Sequence, residues 1–227
     1  TFDDANKNCI QDAGETAISN LKVIVDNNYT IVTDKKGLAN FYLQPQSYEV
    51  TFDYNTDLYD LCKTNYTVNL GQNGDTLLLN VPVQIKKYCA DMKIALSNSI
   101  LRRCFSNNFI GNISNEGNIS ATQNHIVVNF DPSLMFESAS LTVLDQNDTM
   151  VVLDAGLLEP GDTKFFHLQM KVSCSAVLGQ THCISAGLSA SDKYCDKFTQ
   201  LFKECKANVG SYDPNDKRVF NGHGMET

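Results

Sequence analysis

From Leu21 onward the chain repeats one pattern, a short run of alternating apolar and polar side chains closed by a polar turn. Leu21-Lys22-Val23-Ile24-Val25 and Tyr29-Thr30-Ile31-Val32-Thr33 flank Asp26-Asn27-Asn28, which predicts a β-hairpin around an Asn-rich turn. Asp34-Lys35-Lys36-Gly37 predicts a second turn, with Gly37 free to take a positive φ. Further strands are expected over Leu38 to Leu43, Tyr48 to Phe52, Tyr66 to Leu70 and Thr76 to Val83. Beyond Lys86 the same period-two signal marks Asp91 to Asn98, Asn107 to Asn115, His125 to Phe130, Ser140 to Leu144, Met150 to Asp154, Lys164 to Cys174 and Thr181 to Ser189. Many short strands with regular turn signals predict an all-β chain built as β-sandwiches. One stretch reads both ways: Tyr194, Cys195, Phe198, Leu201, Phe202 and Cys205 fall at helical spacing, yet Phe198 to Phe202 can also be a closing strand.

Length and charge narrow the picture. A chain of 227 residues makes one large or two small domains, and a net charge of −8 is a poor match for nucleic acid or an anionic membrane. The longest apolar runs, such as Leu77-Leu78-Leu79, are far too short to span a bilayer. The opening Thr1-Phe2-Asp3 reads as the end of a strand, as in a mature segment cut from something longer.

The eight cysteines are Cys9, Cys62, Cys89, Cys104, Cys174, Cys183, Cys195 and Cys205, and none forms a Cys-x-x-Cys pair. Zinc ribbons and thioredoxin-type redox sites are therefore not indicated, while an even count along a β-rich chain fits an oxidised, exported protein. Roughly a hundred pairings are formally open. Pairing between neighbours (Cys9–Cys62, Cys89–Cys104, Cys174–Cys183, Cys195–Cys205) leaves each candidate domain an even count, with Cys174 and Cys183 flanking an expected hairpin.

The residues Asp4 to Glu15 carry the strongest chemical signal. Counted as a twelve-residue loop, side-chain oxygens fall at positions one, three, five, nine and twelve: Asp4, Asn6, Asn8, Asp12 and Glu15, with the carbonyl of Ile10 at position seven. A hard cation such as calcium takes six or more oxygens at short range, and this spacing can wrap them round one point. Cys9 stands at position six, where helix-loop-helix calcium loops place a glycine, and a β-like segment rather than a helix follows. The expectation is a structural calcium site leading into a β-domain; the alternative is a solvated acidic turn.

Phe2-Asp3-Asp4-x-Asn6-x-Asn8-x-x-x-Asp12-x-Gly14-Glu15, then Thr33-Asp34-x-x-Gly37-x-x-x-Phe41 and Tyr48-x-Val50, resembles a B-type repeat of bacterial surface adhesins, a prealbumin-like or Cna-B-like sandwich often bound to calcium. In that setting Cys62 is the natural partner of Cys9. The second half resembles the immunoglobulin-like repeats of secreted Bacteroidetes proteins, through Arg102-Arg103-Cys104-Phe105, Leu158-Glu159-Pro160-Gly161-Asp162, Val177-Leu178-Gly179-Gln180-Thr181 and Gly210-Ser211-Tyr212-Asp213-Pro214-Asn215-Asp216-Lys217. The resemblances imply a calcium-loop sandwich over residues 1–83, an immunoglobulin-like sandwich over 84–212, a closing strand at Phe198 to Phe202, and a linker or assembly strand over 213–227. That lineage also implies O-glycosylation of Asp-Thr-aliphatic or Asp-Thr-Met triplets, which Thr76 and Thr149 match.

No catalytic constellation is legible. His125, His167, His182 and His223 show no metal-binding spacing, and no nucleophile elbow, phosphate loop or dinucleotide fingerprint occurs. His182 beside Cys183 suggests a nucleophile pair only if Cys183 is a free thiol. Asp53, Asp57 and Asp60 read as solvated loop acids. Phe41, Tyr42, Tyr48, Phe52 and Tyr54 could include a sugar platform, though tryptophan is absent. Asp213-Pro214-Asn215-Asp216 offers a further oxygen cluster, read as a linker or a second calcium site. The expected protein is a non-catalytic stalk, adhesin or filament subunit at the cell surface, partnered by neighbouring domains or subunits and a host or matrix ligand. The alternative is a carbohydrate-binding or spacer module of a secreted hydrolase.

Overall fold

The computed structural model describes residues 1–98, 100–189, 191, 193–196 and 202–210, and every regular element among them is a β-strand. The first half forms β1 (Phe2–Asp3), β2 (Lys22–Val25), β3 (Tyr29–Val32), β4 (Ser47–Asp53), β5 (Tyr59–Leu61), β6 (Asn65–Asn69) and β7 (Pro82–Ile85). They make a three-stranded sheet in the order β1-β7-β5 and a four-stranded sheet in the order β3-β2-β4-β6. The second half forms β8 (Met92–Ser97), β9 (Leu101–Arg102), β10 (Ser106–Asn115), β11 (His125–Phe130), β12 (Leu134–Ala139), β13 (Thr142–Gln146), β14 (Met150–Asp154), β15 (Thr163–Val172), β16 (Thr181–Leu188) and β17 (Phe202–Val209). Their sheets run β12-β15-β10-β8 and β13-β14-β11-β16-β17-β9.

Alternation produces the cores. In β10 and β15 every second residue is buried, so that Phe109, Ile113, Phe166, Leu168 and Met170 meet Ile126, Val128, Leu153 and Ile184 of the facing sheet. Full burial of one such side chain contributes about 1.5–3 kcal/mol. The first half holds two smaller clusters, one around Leu21, Leu58, Val81 and Val83, the other around Val23, Val25, Tyr48 and Val50.

The β2–β3 hairpin forms as its sequence demands. Asp26 and Asn27 both take left-handed backbone angles, φ 49° and 54°, and the Asn28 N–H closes the turn on the Val25 carbonyl at 3.0 Å. Two positive φ values in succession match the strand twist, and short polar Asn and Asp tolerate them best.

Three expectations need correction. Leu38 to Leu43 does not join a sheet, although its alternation is real: Ala39, Phe41 and Leu43 pack on the second small core while Tyr42 is 98% exposed. Period two reports which side chains face inward, not whether the backbone finds a ladder partner. The strand expected over Thr76 to Val83 is confined to β7; the residues before it are irregular, with Leu77 and Leu78 exposed. The strand expected over Ser140 to Leu144 is shifted: it appears as β13, from Thr142, and the preceding β12, which ends at Ala139 and lies in the other sheet, was not expected. Phe198 to Leu201 lie outside the described residues, as do the oxygen cluster Asp213 to Asp216 and the assembly strand expected over 213–227.

Candidate functional site: an oxygen-rich loop beside a disulfide

The loop starts where β1 ends. The Asp4 N–H continues the ladder to the Val83 carbonyl at 2.9 Å, which carries its side chain into the protein until the residue is only 1% exposed. A buried carboxylate needs partners, and Asp4 has them. Oδ1 accepts the Asn8 N–H at 3.0 Å, and Oδ2 accepts the Cys9 N–H at 3.1 Å and the Gln84 amide at 2.8 Å.

Around this anchor the other loop oxygens converge in part. Asn6 and Asn8 both donate from Nδ2 to Asp12 Oδ2 at 2.7 Å, which holds the Asp12 carboxyl below the usual carboxylate range. Their Oδ1 atoms accept the N–H groups of Asn8 at 3.1 Å and Ile10 at 2.7 Å. Glu15 Oε2 accepts the Asp12 N–H at 2.9 Å, while its Oε1 is buried with no hydrogen-bond partner among the described residues. The Ile10 side chain projects into solvent. Asp3, next to the anchor, is pushed up by burial and by the charges of Glu15 and Asp4, with the Tyr88 hydroxyl acting the other way.

Cys9, at the glycine position, takes φ 63°. It is bonded to Cys62, just past β5, with Cα atoms 5.9 Å apart. Cys9 and Cys62 lie within metal-ligand range of Asp4, but their sulfurs are joined to each other and offer no thiolate. The remaining donors are oxygens only, and the unpaired Glu15 Oε1 is an acceptor without a donor. That chemistry fits a hard cation.

All eight cysteines are oxidised, and the pairing is Cys9–Cys62, Cys89–Cys195, Cys104–Cys174 and Cys183–Cys205. The neighbour pairings Cys89–Cys104, Cys174–Cys183 and Cys195–Cys205 do not form. Cys174 and Cys183 do not flank a hairpin, because β15 and β16 belong to opposite sheets. Cys183 instead faces Cys205 across the β16–β17 ladder. The Cys104 N–H bonds the Val172 carbonyl at 2.9 Å, which brings Cys104 beside Cys174. Ala90 pairs with Tyr194 in an isolated bridge and thereby sets Cys89 against Cys195.

The residues weighed for catalysis are accounted for. Cys183 is bonded, so His182 has no thiol beside it. The His182 imidazole is buried between Asp131 Oδ1, 3.3 Å from Nδ1, and the Asn208 amide, 2.8 Å from Nε2. It lines a pocket with Asn98, Phe109, Leu134, Glu204 and Lys206 whose volume, about 10 Å³, is that of one water molecule. Asp53 pairs with Lys22 at 2.5 Å and Asp60 with Lys86 at 3.6 Å, both at the surface. The aromatic set does not form a strip: Tyr48 is buried, Phe52 meets Tyr66 edge-on at 6.0 Å, and Tyr42 stands alone in solvent. Thr76 and Thr149 are both exposed. Gln84 and Asn208, which fix Asp4 and His182, carried no signal in the sequence beyond an alternating strand position.

No family model matches the chain, and no curated protein matches it. Solved structures that it resembles include the third cohesin of ScaC from Acetivibrio cellulolyticus, solved with the ScaB dockerin, at 12% identity and TM-score 0.40 over 52% of this chain and 99% of that one. A cohesin module of a family 33 glycoside hydrolase from Clostridium perfringens aligns at 7% identity and TM-score 0.38, over 55% and 99%. The bacterial hydrophobin BslA aligns at 10% identity and TM-score 0.36, over 55% and 97%. At these identities the likeness concerns the sandwich architecture alone.

Proposed function

We propose that this chain is a non-catalytic structural or adhesive segment of a secreted bacterial surface protein, a stalk, adhesin or filament subunit. The observation that carries the reading is the fully oxidised set of eight cysteines stapling β-sandwich layers, since such bridges persist where glutathione and thioredoxin do not reach. Buried acids and amides among the described residues hold backbone: Asp4 takes the Asn8 and Cys9 N–H groups, and Asn115 and Asn124 donate to the Ile119 and Gly156 carbonyls.

Within that role Asp4, Asn6, Asn8, Asp12, Glu15 and the Ile10 carbonyl hold one calcium ion. Bound there, the ion supplies positive charge that the loop acids otherwise lack, and ties Glu15 to the anchor at Asp4. The resemblance to adhesin B-type repeats and to immunoglobulin-like repeats of secreted Bacteroidetes proteins supports the same setting. Partners are then neighbouring domains or subunits, with a host or matrix ligand. Protease shaving of intact source cells, followed by non-reducing peptide mapping, tests the reading. Release of peptides joined by the four bridges is expected; a reduced protein recovered only from cell lysate overturns it.

A further inference from the structure

The bridges bear on how the chain responds to a pull along its length. Cys9 and Cys62 are 53 positions apart, and Cys89 and Cys195 are 106 apart. A tension that enters at the first residues crosses from Cys9 to Cys62, follows β6 and β7 to Cys89, and crosses to Cys195. Residues 10–61 and 90–194 then lie outside the covalent path. The other two bridges add redundancy, because Cys104–Cys174 lies inside the large loop and Cys183–Cys205 straddles its end.

The junction of the two sandwiches is closed from both sides at the point where the path crosses. Cys89 is buried in a core cluster of the first sandwich, and Cys195 packs against the same cluster. On one flank the Ala90 N–H bonds Lys193 O at 2.8 Å, the Cys195 N–H bonds Ala90 O at 2.9 Å, and Lys87 Nζ bonds Cys195 O at 2.7 Å. On the other flank Asn118 accepts the Cys89 N–H at 2.9 Å and donates to Lys87 O at 2.8 Å, while its own N–H bonds Cys89 O at 3.0 Å. Burial pushes the hydroxyl of Tyr59, in the first sandwich, up to about 12, with Asn118 acting the other way. The backbones approach so closely that a Cβ on Gly117 would lie 2.2 Å from Cys89 O. Lys35 and Glu159 form an ion pair across the same junction.

We infer that the chain is a tension-bearing connector in which the disulfide pairing removes most of both sandwiches from the line of force and the Cys89–Cys195 bridge locks the joint between them. The inference deepens the structural role proposed above and rests on it for the direction of pull. The covalent path itself is a property of the molecule wherever it resides.

Single-molecule stretching of the full oxidised chain, with handles at residues 1 and 227, tests it. At about 3.5 Å per extended residue, the pairing limits the unfolded oxidised chain to about 240 Å, against about 790 Å after full reduction. The neighbour pairing would instead allow about 490 Å. Cys9→Ser with Cys62→Ser lengthens the limit by about 180 Å, whereas Cys89→Ser with Cys195→Ser adds only about 50 Å because the inner bridges take over. Should either double variant fail to fold, the two wild-type limits before and after reduction still decide. An oxidised limit near 490 Å or beyond overturns the inference; a limit near 240 Å establishes the path even if cell shaving overturns the surface role.

Discussion

Gly111 of β10 and Phe166 of β15 are register partners, and a Cβ on Gly111 would lie 2.2 Å from the Phe166 ring. Phe166 is fully buried and lies over the glycine at the centre of the second sandwich. Gly111→Ala forces the ring off its rotamer or the strands apart, and overpacking of this kind costs about 1–3 kcal/mol. Denaturant unfolding should show the midpoint falling for Gly111→Ala. Phe166→Ala should cost about 3–5 kcal/mol, and an unaffected midpoint in either variant would contradict the packing described.

Asp131 gives a pH dependence with a defined sign. Burial pushes its carboxyl up, but the Ser133 N–H at 2.8 Å and the His182 imidazole outweigh burial and leave it below its ordinary value. A depressed folded pKa contributes stability that is present above the unfolded value and lost as pH falls through the folded one. Asp131→Asn should therefore cost about 1 kcal/mol at neutral pH, with the difference from wild type shrinking below about pH 4. A difference that grows in acid would refute this reading.

Thr149 sits in the turn between β13 and β14, exposed, with its N–H on Asn147 Oδ1 at 2.9 Å. Thr76 is exposed in the irregular stretch before β7. Both hydroxyls are open to a sugar transferase, and Thr149→Ala should abolish any added mass at that turn. Intact-mass analysis of the protein from its source checks this, and the bare polypeptide mass would exclude glycosylation at either position.

Much of the fold was legible because local rules governed it. β11 and β14 have the bounds that alternation assigned, and Asp26-Asn27 formed the turn that its residue types favour. What failed depended on which strands become neighbours. Phe41 alternates like a strand residue but covers a core from a loop, and nothing local reveals that β4 has already taken β2 and β6 as partners. The cysteines show the same limit. Oxidation followed from their number, whereas Cys104–Cys174 required knowing that β10 and β15 pair over their whole length. At the candidate site the oxygens were countable from spacing alone. The partners that bury Asp4, Gln84 above all, were not.

Cys9 ties the loop's turn to the first sandwich. A non-glycine residue at φ 63° costs about 1–2 kcal/mol, and its bond to Cys62 holds the turn in place. Cys9→Gly with Cys62→Ser should keep the loop's calcium response better than Cys9→Ser with Cys62→Ser. Equal responses in calorimetric titration would show that the left-handed angle at position 9 does not strain the turn once the bridge is gone.

Calcium-dependent melting of the wild-type chain tests the account at its centre. Binding to the folded form alone adds about 2.7 kcal/mol at a calcium concentration about a hundredfold above Kd, which raises the Tm of a chain of 227 residues by about 5–10 °C. Excess chelator should reverse the rise, and Asp12→Ala or Glu15→Ala should remove most of it while leaving the chelated Tm nearly unchanged. A melting temperature indifferent to calcium and chelator would contradict a metal-stiffened surface segment.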